Sequence, residues 1–249
     1  MRPRLVLFLV GALGGILLLA WGLWGLPGFG HYRGPYGNQI NARAAKERHS
    51  SSAVAPVVFD YRGFDTVGEE LILFAAVMGV IVLLRAQREE HEEPARLRTE
   101  ELSFRVSESS RVVALALIPP TVVLGLYVVV HGHLSPGGGF QGGVALAAAG
   151  VLLYLAGEYL SFQRVYPVAL LDLGEAGGAG GFIVIGLVGL FTGAAYLSNV
   201  FPLGITGTLF SAGTIPVINV FVGVEVAVGI VFMVYEFVEQ TLLVRRRSS

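Results

Sequence analysis

The sequence contains no cysteine, and this absence limits the chemistry that the chain could carry. Without cysteine there is no disulfide framework, and neither a thiolate metal site nor an iron–sulfur cluster can be built from this chain alone. Any electron transfer would therefore need another subunit. Charge is scarce as well, since 14% of the residues are Asp, Glu, Lys or Arg, against roughly 25% in an average soluble domain. Seventeen basic and eighteen acidic residues give a net charge of −1, which excludes a general electrostatic attraction to nucleic acid.

Apolar residues are abundant, at 54% of the chain, and they are concentrated in six long segments. A helix that crosses the hydrocarbon core of a bilayer needs about 20 mostly apolar residues. The six segments cover approximately residues 5–26, 66–84, 112–130, 140–160, 178–198 and 216–238. We therefore predict an all-α integral membrane protein with about six transmembrane helices. For the first segment a removable signal peptide is the competing interpretation, although Trp21 and Trp24 at its far end favour an interfacial anchor.

The distribution of Lys and Arg predicts the orientation of these helices, because cytoplasmic loops carry an excess of both residues. In a six-helix arrangement the arginines of residues 2–4, 85–111, 164 and 245–247 all fall on one side, and the opposite loops 131–139 and 199–215 contain neither Lys nor Arg. We therefore predict that both termini are cytoplasmic. The exception is the segment 28–62, which carries five basic residues. We expect its part from 28 to 52 to have no fold of its own and to be ordered by other chains.

A run of charged residues divides the chain into two membrane parts. Residues 85–110 are rich in Glu and Arg, contain Pro94 and lack apolar periodicity, which is typical of a solvated linker. The predicted organisation is a two-helix membrane unit over 1–84, a charged cytoplasmic linker over 85–110 and a four-helix membrane domain over 111–249.

The first candidate site is the acidic segment DYRGFDTVGEE, residues 60–70, at the outer end of the second helix. If this helix extends back through the segment, Arg62, Asp65 and Glu69 share one face. Two carboxylates four residues apart repel each other, so the face needs the arginine, a proton or a metal cation. The alternative is an interfacial cap, with Asp65 or Thr66 capping the helix and the glutamates solvated.

The second candidate site is the glycine-rich break HGHLSPGGGFQGG, which separates two apolar helices. Glycine relaxes the limits on φ, and free amides at the start of the next helix face outward. Such breaks line cavities in transporters, although a tight hairpin that needs glycine only for space explains the pattern equally well. His131 and His133 fit a proton-exchanging or hydrogen-bonding pair better than a metal site. The predicted hinge consists of His131, His133, Pro136, Gly137, Gly138, Gly139, Phe140, Gln141, Gly142 and Gly143.

A third group of candidates consists of acidic residues within the apolar segments. Glu225 lies near the middle of the last helix, where an ionised carboxylate costs roughly 2.5–3.5 kcal/mol. Such a residue normally faces protein or water and marks an ion pathway, and its alternative role is a protonated hydrogen-bonding contact between helices. Acids nearer the predicted cytoplasmic interface are explained by solvation alone. These are Glu158, Asp172, Glu175, Glu236 and Glu239.

The glycine-rich break and the helix after it resemble the signature of the MnhB family, the B-type component of Mrp-type multisubunit Na⁺/H⁺ antiporters. The resemblance runs from about Arg111 to Val238 and includes the stretch SAGTIPVINVFVGVEVAVG. The front part, with DYRGFDTVGE, resembles the E-type membrane subunit of membrane-bound hydrogenases and the C-terminal piece of the large A-type component of the antiporters. The acids that match this motif are Asp60, Asp65 and Glu69. With Glu225 they form the candidate ion path.

The resemblance implies an accessory, non-enzymatic subunit of an assembly that exchanges sodium, or another monovalent cation, for protons. It implies a multi-pass protein of a prokaryotic cell membrane, whose partners are other subunits, the lipid bilayer, sodium and protons, with no cofactor and no nucleic acid. The predicted helices contain no lysine, unlike those of the proton-pumping subunits of the family. A membrane-arm subunit of a redox-driven complex such as a membrane-bound hydrogenase is one alternative, and a purely structural scaffold is another.

Overall fold

The computed structural model describes residues 3–26, 35–89, 106–157 and 159–248, which are organised as two compact units, Met1–Gln39 and Ile40–Ser249. Helices dominate, and the described residues contain no β-strand. The helices are α1 (Pro3–Trp24), α2 (Pro35–Arg48), α3 (Val54–Pro56), α4 (Gly63–Glu89), α5 (Glu108–Val130), α6 (Gly139–Leu155), α7 (Tyr159–Val165), α8 (Val168–Phe191) and α9 (Ile215–Ser248). A π-helical turn, Val57–Tyr61, lies between α3 and α4.

Six of these helices have the composition of membrane segments. Among the described residues, four are long and apolar enough to cross a bilayer: Gly63–Leu84, Glu108–Val130, Val168–Phe191 and Ile215–Gln240. Two shorter apolar helices, Leu9–Trp24 and Gly139–Leu155, complete the set. The protein is an all-α integral membrane protein, as predicted, and its orientation in the membrane stays a prediction.

Helix α9 is the centre of the second unit, because α4, α5, α6 and α8 all pack against it. One core cluster contains Phe182, Ile218 and Val226, and a second contains Phe162, Leu171 and Phe232. Glycines on α6 and α8 allow the backbones to approach closely. A Cβ added at Gly143 would lie 2.8 Å from the carbonyl oxygen of Gly223, and one at Gly178 would lie 2.5 Å from the Cβ of Glu225.

Two predicted helix boundaries were wrong. The segment predicted over 178–198 is helical from Val168 to Phe191. The ten residues 168–177, which include Asp172 and Glu175, therefore also belong to the membrane helix. The segment predicted over 140–160 ends at Leu155. There Gly157 has a φ of +78°, a left-handed conformation that breaks the helix before α7.

The segment 28–52 also differs from expectation, within the part that the structure describes. Residues 35–48 form α2, and its Ala44 is fully buried. The Glu47 carboxylate accepts a hydrogen bond of 2.7 Å from the hydroxyl of Tyr61, and Ser52 N–H donates to the carbonyl of His133. This chain itself therefore orders residues 40–52. Most of the predicted linker, residues 90–105, lies outside the described residues, and the predicted three-part division stays a prediction.

Candidate functional site

A cavity of about 280 Å³ lies where the π-helical turn, α4, the glycine-rich break and α9 meet. A water molecule takes up about 30 Å³ of liquid volume, so the cavity has room for several waters or a partly hydrated cation. Its wall is mainly apolar, with polar groups from α4, α6 and α9. The lining residues are Val54, Ala55, Val58, Phe59, Thr66, Glu69, Glu70, Gly137, Gly138, Gly139, Phe140, Gln141, Asn219 and Val222.

The glycine-rich break forms one wall of this cavity. Gly137 and Gly138 have φ values of +129° and +145°, which favour glycine, and α6 starts at Gly139. The free amide of Gly139 donates a hydrogen bond of 2.7 Å to Oδ1 of Asn219. Phe140 and Gln141 therefore stand at a helix start beside a cavity, where the sequence predicted them.

The next two glycines of the break serve helix packing. A Cβ on Gly142 would lie 2.7 Å from the carbonyl oxygen of Gly125 on α5, and one on Gly143 would contact α9. Pro136 is exposed at the bend that precedes the cavity. Some glycines of the motif therefore fit a tight hairpin, whereas others line the cavity, and the functional role of the motif stays a prediction.

The two histidines of the motif have different environments. The ring of His131 stacks on that of Tyr127, with centroids 4.1 Å apart. His133 is fully buried, and its carbonyl accepts a 2.7 Å hydrogen bond from Ser50. Burial lowers the pKa of His133 below its ordinary value, and nearby backbone groups of Thr208 and Leu209 oppose this shift. Among the described residues no three His, Cys, Asp or Glu side chains come together as metal ligands.

The two aspartates of the acidic segment are each paired with an arginine. Asp60 lies 2.7 Å from Nε of Arg48, which joins α2 to the π-helical turn. Asp65 accepts a 2.6 Å hydrogen bond from Nε of Arg62, and its side chain is 51% exposed. Neither aspartate lines the cavity. The capping alternative is wrong in its details, because α4 starts at Gly63 and the Thr66 hydroxyl donates to the carbonyl of Val58.

The two adjacent glutamates of the segment do line the cavity. Glu69 is exposed at its rim, whereas Glu70 is only 4% exposed and faces the interior. The face chosen from the sequence, with Arg62, Asp65 and Glu69, is therefore the outer face of α4. Glu70, one residue further along, is on the face that packs toward α9.

Glu225 is completely buried against protein, as its depth in the last helix predicted. No donor of the described residues reaches either of its carboxylate oxygens. Its carboxylate lies within hydrogen-bonding range of that of Glu70. Since an ionised carboxylate only accepts hydrogen bonds, this contact is favourable when one of the two groups carries a proton.

Glu175 is a third buried carboxylate, although the sequence analysis placed it in solvent at the cytoplasmic interface. It is 1% exposed, and no donor of the described residues reaches its oxygens. A Cβ on Gly229 of α9 would lie 2.9 Å from its Oε2 and 3.1 Å from Val77 of α4. Glu175 therefore enters the same interior as Glu70 and Glu225, and the explanation by solvation at the interface is wrong for it.

Other acids considered at the cytoplasmic end differ in burial. Glu236 is 1% exposed, so solvation does not explain it either. Asp172 is exposed, and Glu239 accepts a 3.0 Å hydrogen bond from the amide of Gln163. Glu158 lies outside the described residues.

Comparisons with known proteins agree with the resemblance in the sequence. A family profile described as "Domain related to MnhB subunit of Na+/H+ antiporter" matches residues 109–232. An uncharacterized protein of Methanocaldococcus jannaschii is 32% identical over 197 residues, which cover 71% of this chain and 73% of that protein. The probable A/B component of a K⁺/H⁺ antiporter of Rhizobium meliloti is 26% identical over 193 residues, covering 70% of this chain and 19% of the relative.

Two solved complexes contain chains of similar structure. One is the membrane-bound sulfane sulfur reductase, an archaeal respiratory membrane complex, with a TM-score of 0.72 and 31% identity. That match covers 96% of this chain and 99% of the other. The second is the Mrp complex from Dietzia sp. DQ12-45-1b, with a TM-score of 0.69 and 26% identity, covering 95% of this chain and 26% of the other.

Proposed function

This chain belongs to the family of domains related to the MnhB subunit of Na⁺/H⁺ antiporters, and from that membership we propose the part that it takes in ion exchange. It is a multi-pass membrane subunit of a multisubunit cation/proton antiporter in a prokaryotic cell membrane, where it assembles with the other subunits of an Mrp-type or related complex. Our proposal is that it lines the entrance of a sodium route besides contributing to assembly. We also propose that it has no catalytic chemistry of its own.

The observation that carries this proposal is the cavity with Glu69 and Glu70 in its wall. Among the described residues neither glutamate has an arginine or lysine partner, whereas both aspartates of the segment do. Carboxylate and amide oxygens are the ligands that hard cations prefer, and Gln141 adds an amide beside the two carboxylates. Glu69 at the rim attracts a cation from water, and the less hydrated interior at Glu70 strengthens the attraction.

Asp60 and Asp65 take part in this proposal as the acidic surroundings of the entrance. Their arginine partners neutralise most of their charge, so neither is a direct ligand. The Arg48–Asp60 pair holds α2 against the π-helical turn that forms part of the cavity wall. A cation route therefore depends on these residues through the shape of the entrance.

The experiment uses the whole complex in right-side-out membrane vesicles, whose outer face carries the cavity in the predicted orientation, with proton movement recorded as external sodium is varied. Glu69→Gln should raise the sodium concentration for half-maximal exchange roughly tenfold, because a charge-assisted ligand of about 1.5 kcal/mol is lost. The maximal rate at saturating sodium should remain. Glu108→Gln is the matched control, since Glu108 is exposed at the start of α5 and outside the cavity. Repeating the titration with potassium identifies the cation.

An unchanged sodium dependence in Glu69→Gln, in a complex whose subunits still copurify, would overturn the cation route. The chain would then be a purely structural scaffold. A shift of equal size in Glu108→Gln would also count against the proposal, because the effect would then follow from charge in general rather than from the cavity.

The second candidate is a membrane-arm subunit of a redox-driven complex. The observation that favours it is the nearly full-length match to one chain of the sulfane sulfur reductase complex, whereas the Mrp match covers a quarter of a longer chain. Purification of the native complex decides between the two. Copurifying subunits with iron–sulfur absorption would support a redox-driven complex, and their absence from an active exchanger would support an antiporter that works alone.

A further inference from the structure

We propose that Glu70, Glu225 and Glu175 form a proton relay that leads from the cavity into the interior between α4, α9 and α8. The proposed function concerns a cation at the cavity, and the relay adds the route of the counter-transported proton. It rests on the proposed function, because the relay begins at the cavity wall. Three observations support the relay: the successive depths of the three carboxylates, the close contacts around them, and the lack of other hydrogen-bond partners for their oxygens among the described residues.

The three carboxylates lie at successive depths. Glu70 is about 10 Å from the start of α4 at 1.5 Å per residue, and Glu225 is about 15 Å from the start of α9. Both helices start at the cavity end, where Thr66 and Asn219 line the wall. Helix α8 runs in the opposite direction, because Gly181 lies against Phe221, Gly178 against Glu225 and Gly174 against Val228. Glu175 reaches Gly229, about 6 Å further from the cavity than Glu225.

The surroundings of the trio suit a proton better than a metal cation. On the side toward α8, the space beside Glu70 has no room for a water molecule and is bounded by Val67, Ala179 and Phe182. A hydrated cation has no room there, and an ionised carboxylate at such depth is costly. Glu69 at the cavity rim and Glu175 in the interior are the other acids close enough to Glu70 to repel its charge. Protonated carboxyl groups satisfy each other in such a place without any cation.

Asn219 is an independent indication that the cavity end receives a ligand or water. It is fully buried, it lines the cavity, and its Oδ1 already accepts the Gly139 amide. Its Nδ2 has no acceptor among the described residues. A water molecule that accepts a hydrogen bond from Nδ2 keeps both of its own hydrogens free to donate to a carboxylate such as that of Glu70.

The proton balance of the relay is simple. Because the proton moves opposite to the cation, it leaves through the cavity. A proton that reaches Glu175 from the side away from the cavity passes to the Glu225 carboxylate, which leaves Glu175 ionised. It then passes across the Glu70–Glu225 contact, which leaves Glu225 ionised and Glu70 neutral, and Glu70 releases it to water in the cavity. No bond other than O–H is made or broken.

The test measures proton movement by the whole complex in right-side-out vesicles at saturating external sodium. Glu225→Gln and Glu175→Gln should each lower the maximal rate of proton movement by about tenfold or more, as loss of a proton-transferring group does. The sodium concentration for half-maximal exchange should stay unchanged. Glu175→Asp keeps a titratable carboxyl group and should restore part of the rate. Asp172→Asn is the matched control, since Asp172 is exposed on the same helix.

Infrared difference spectroscopy tests the shared proton directly. The wild-type complex should show the carbonyl band of a buried protonated carboxyl group, which Glu225→Gln removes and Asp172→Asn keeps. Full proton movement in Glu175→Gln, or absence of such a band in the wild type, would overturn the relay. If the Gln variants fail to assemble, an unshifted carbonyl band in Glu225→Asp would overturn it too, because the band would then not come from Glu225. These outcomes differ from failure of the cation route, which appears as unchanged sodium dependence in Glu69→Gln.

Discussion

At the scale of single residues, the glycines of α8 have two different roles. Gly178 faces Glu225, so that a Cβ there would lie 2.5 Å from the Glu225 Cβ and 2.7 Å from its backbone nitrogen. A Cβ at the neighbouring Gly177 would have no atom within 4 Å. The absence of a side chain at Gly178 therefore lets α8 approach α9 closely enough to enclose Glu175 and Glu225, whereas none of the described residues packs against Gly177.

We expect Gly178→Ala to destabilise the protein and Gly177→Ala to leave it intact. Overpacking at a close backbone contact typically costs about 1–3 kcal/mol, whereas alanine in place of an unconstrained helical glycine gains about 0.5–1 kcal/mol. Thermal unfolding of the purified complex in detergent compares the two variants. Equal unfolding temperatures would show that α8 and α9 are not packed as closely as described.

The residue scale also shows how much of the site the sequence could predict. The position of Glu225 near the middle of an apolar segment identified it. The length of that segment is enough to show that the carboxylate lies deep within the membrane. Glu70 was overlooked because spacing tells which residues share a face without telling which face meets the protein. Glu175 was missed because two acids and several glycines lowered the local apolarity, so that the helix was predicted to start after it.

At the scale of elements, the loop between α5 and α6 depends on His133. The side chain is fully buried, and the carbonyl of His133 accepts hydrogen bonds from Ser50 and from the backbone of Ser52. Burial lowers the pKa of the His133 ring in the folded protein, so the fold favours the neutral ring. The contribution of the neutral His133 ring to the stability of the fold is therefore fully present above the ordinary histidine pKa of about 6.5. This contribution is lost as the pH falls through the lowered pKa of the folded protein.

Acidification should accordingly loosen the segments 49–52 and 131–138 before the helices open. Hydrogen exchange measured at pH 8 and pH 5, and corrected for the intrinsic rate of each pH, should show faster exchange in both segments at the lower pH. His133→Gln should remove most of this difference, whereas His131→Gln should retain it, because His131 is stacked on Tyr127 and partly exposed. The same pH response in His133→Gln would contradict the assignment.

The sequence predicted the type of the membrane helices but not the residues at which they begin and end. Apolar runs identified four helices that are long enough to cross a bilayer and two shorter apolar helices, because a bilayer imposes a minimum length on a spanning helix. Helix α2 was missed since it is polar and its order comes from tertiary contacts, such as burial of Ala44 and the Arg48–Asp60 pair. The π-helical turn has no composition signal either.

At the scale of the whole molecule, the packing of α4 against α8 and α9 links the front and back parts of the chain. The sequence predicted two membrane units on either side of a charged linker, and nothing in periodicity alone indicates how such units meet. Of the three buried glutamates, Glu70 precedes the charged run 85–110 and Glu175 and Glu225 follow it.

The orientation of the chain is the remaining prediction at this scale, and the lack of cysteine allows a direct test. Single cysteines at Ser109 and Thr206 are suitable, because both positions are exposed outside the apolar helices or at their ends. If arginine-rich loops face the cytoplasm, an impermeant thiol reagent added to intact cells should label Thr206→Cys and spare Ser109→Cys. Permeabilised cells, in which both positions should react, control for accessibility. The reverse pattern would place the cavity on the cytoplasmic side, and the cation route would then run from the cytoplasm toward the outside, with the proton relay reversed accordingly.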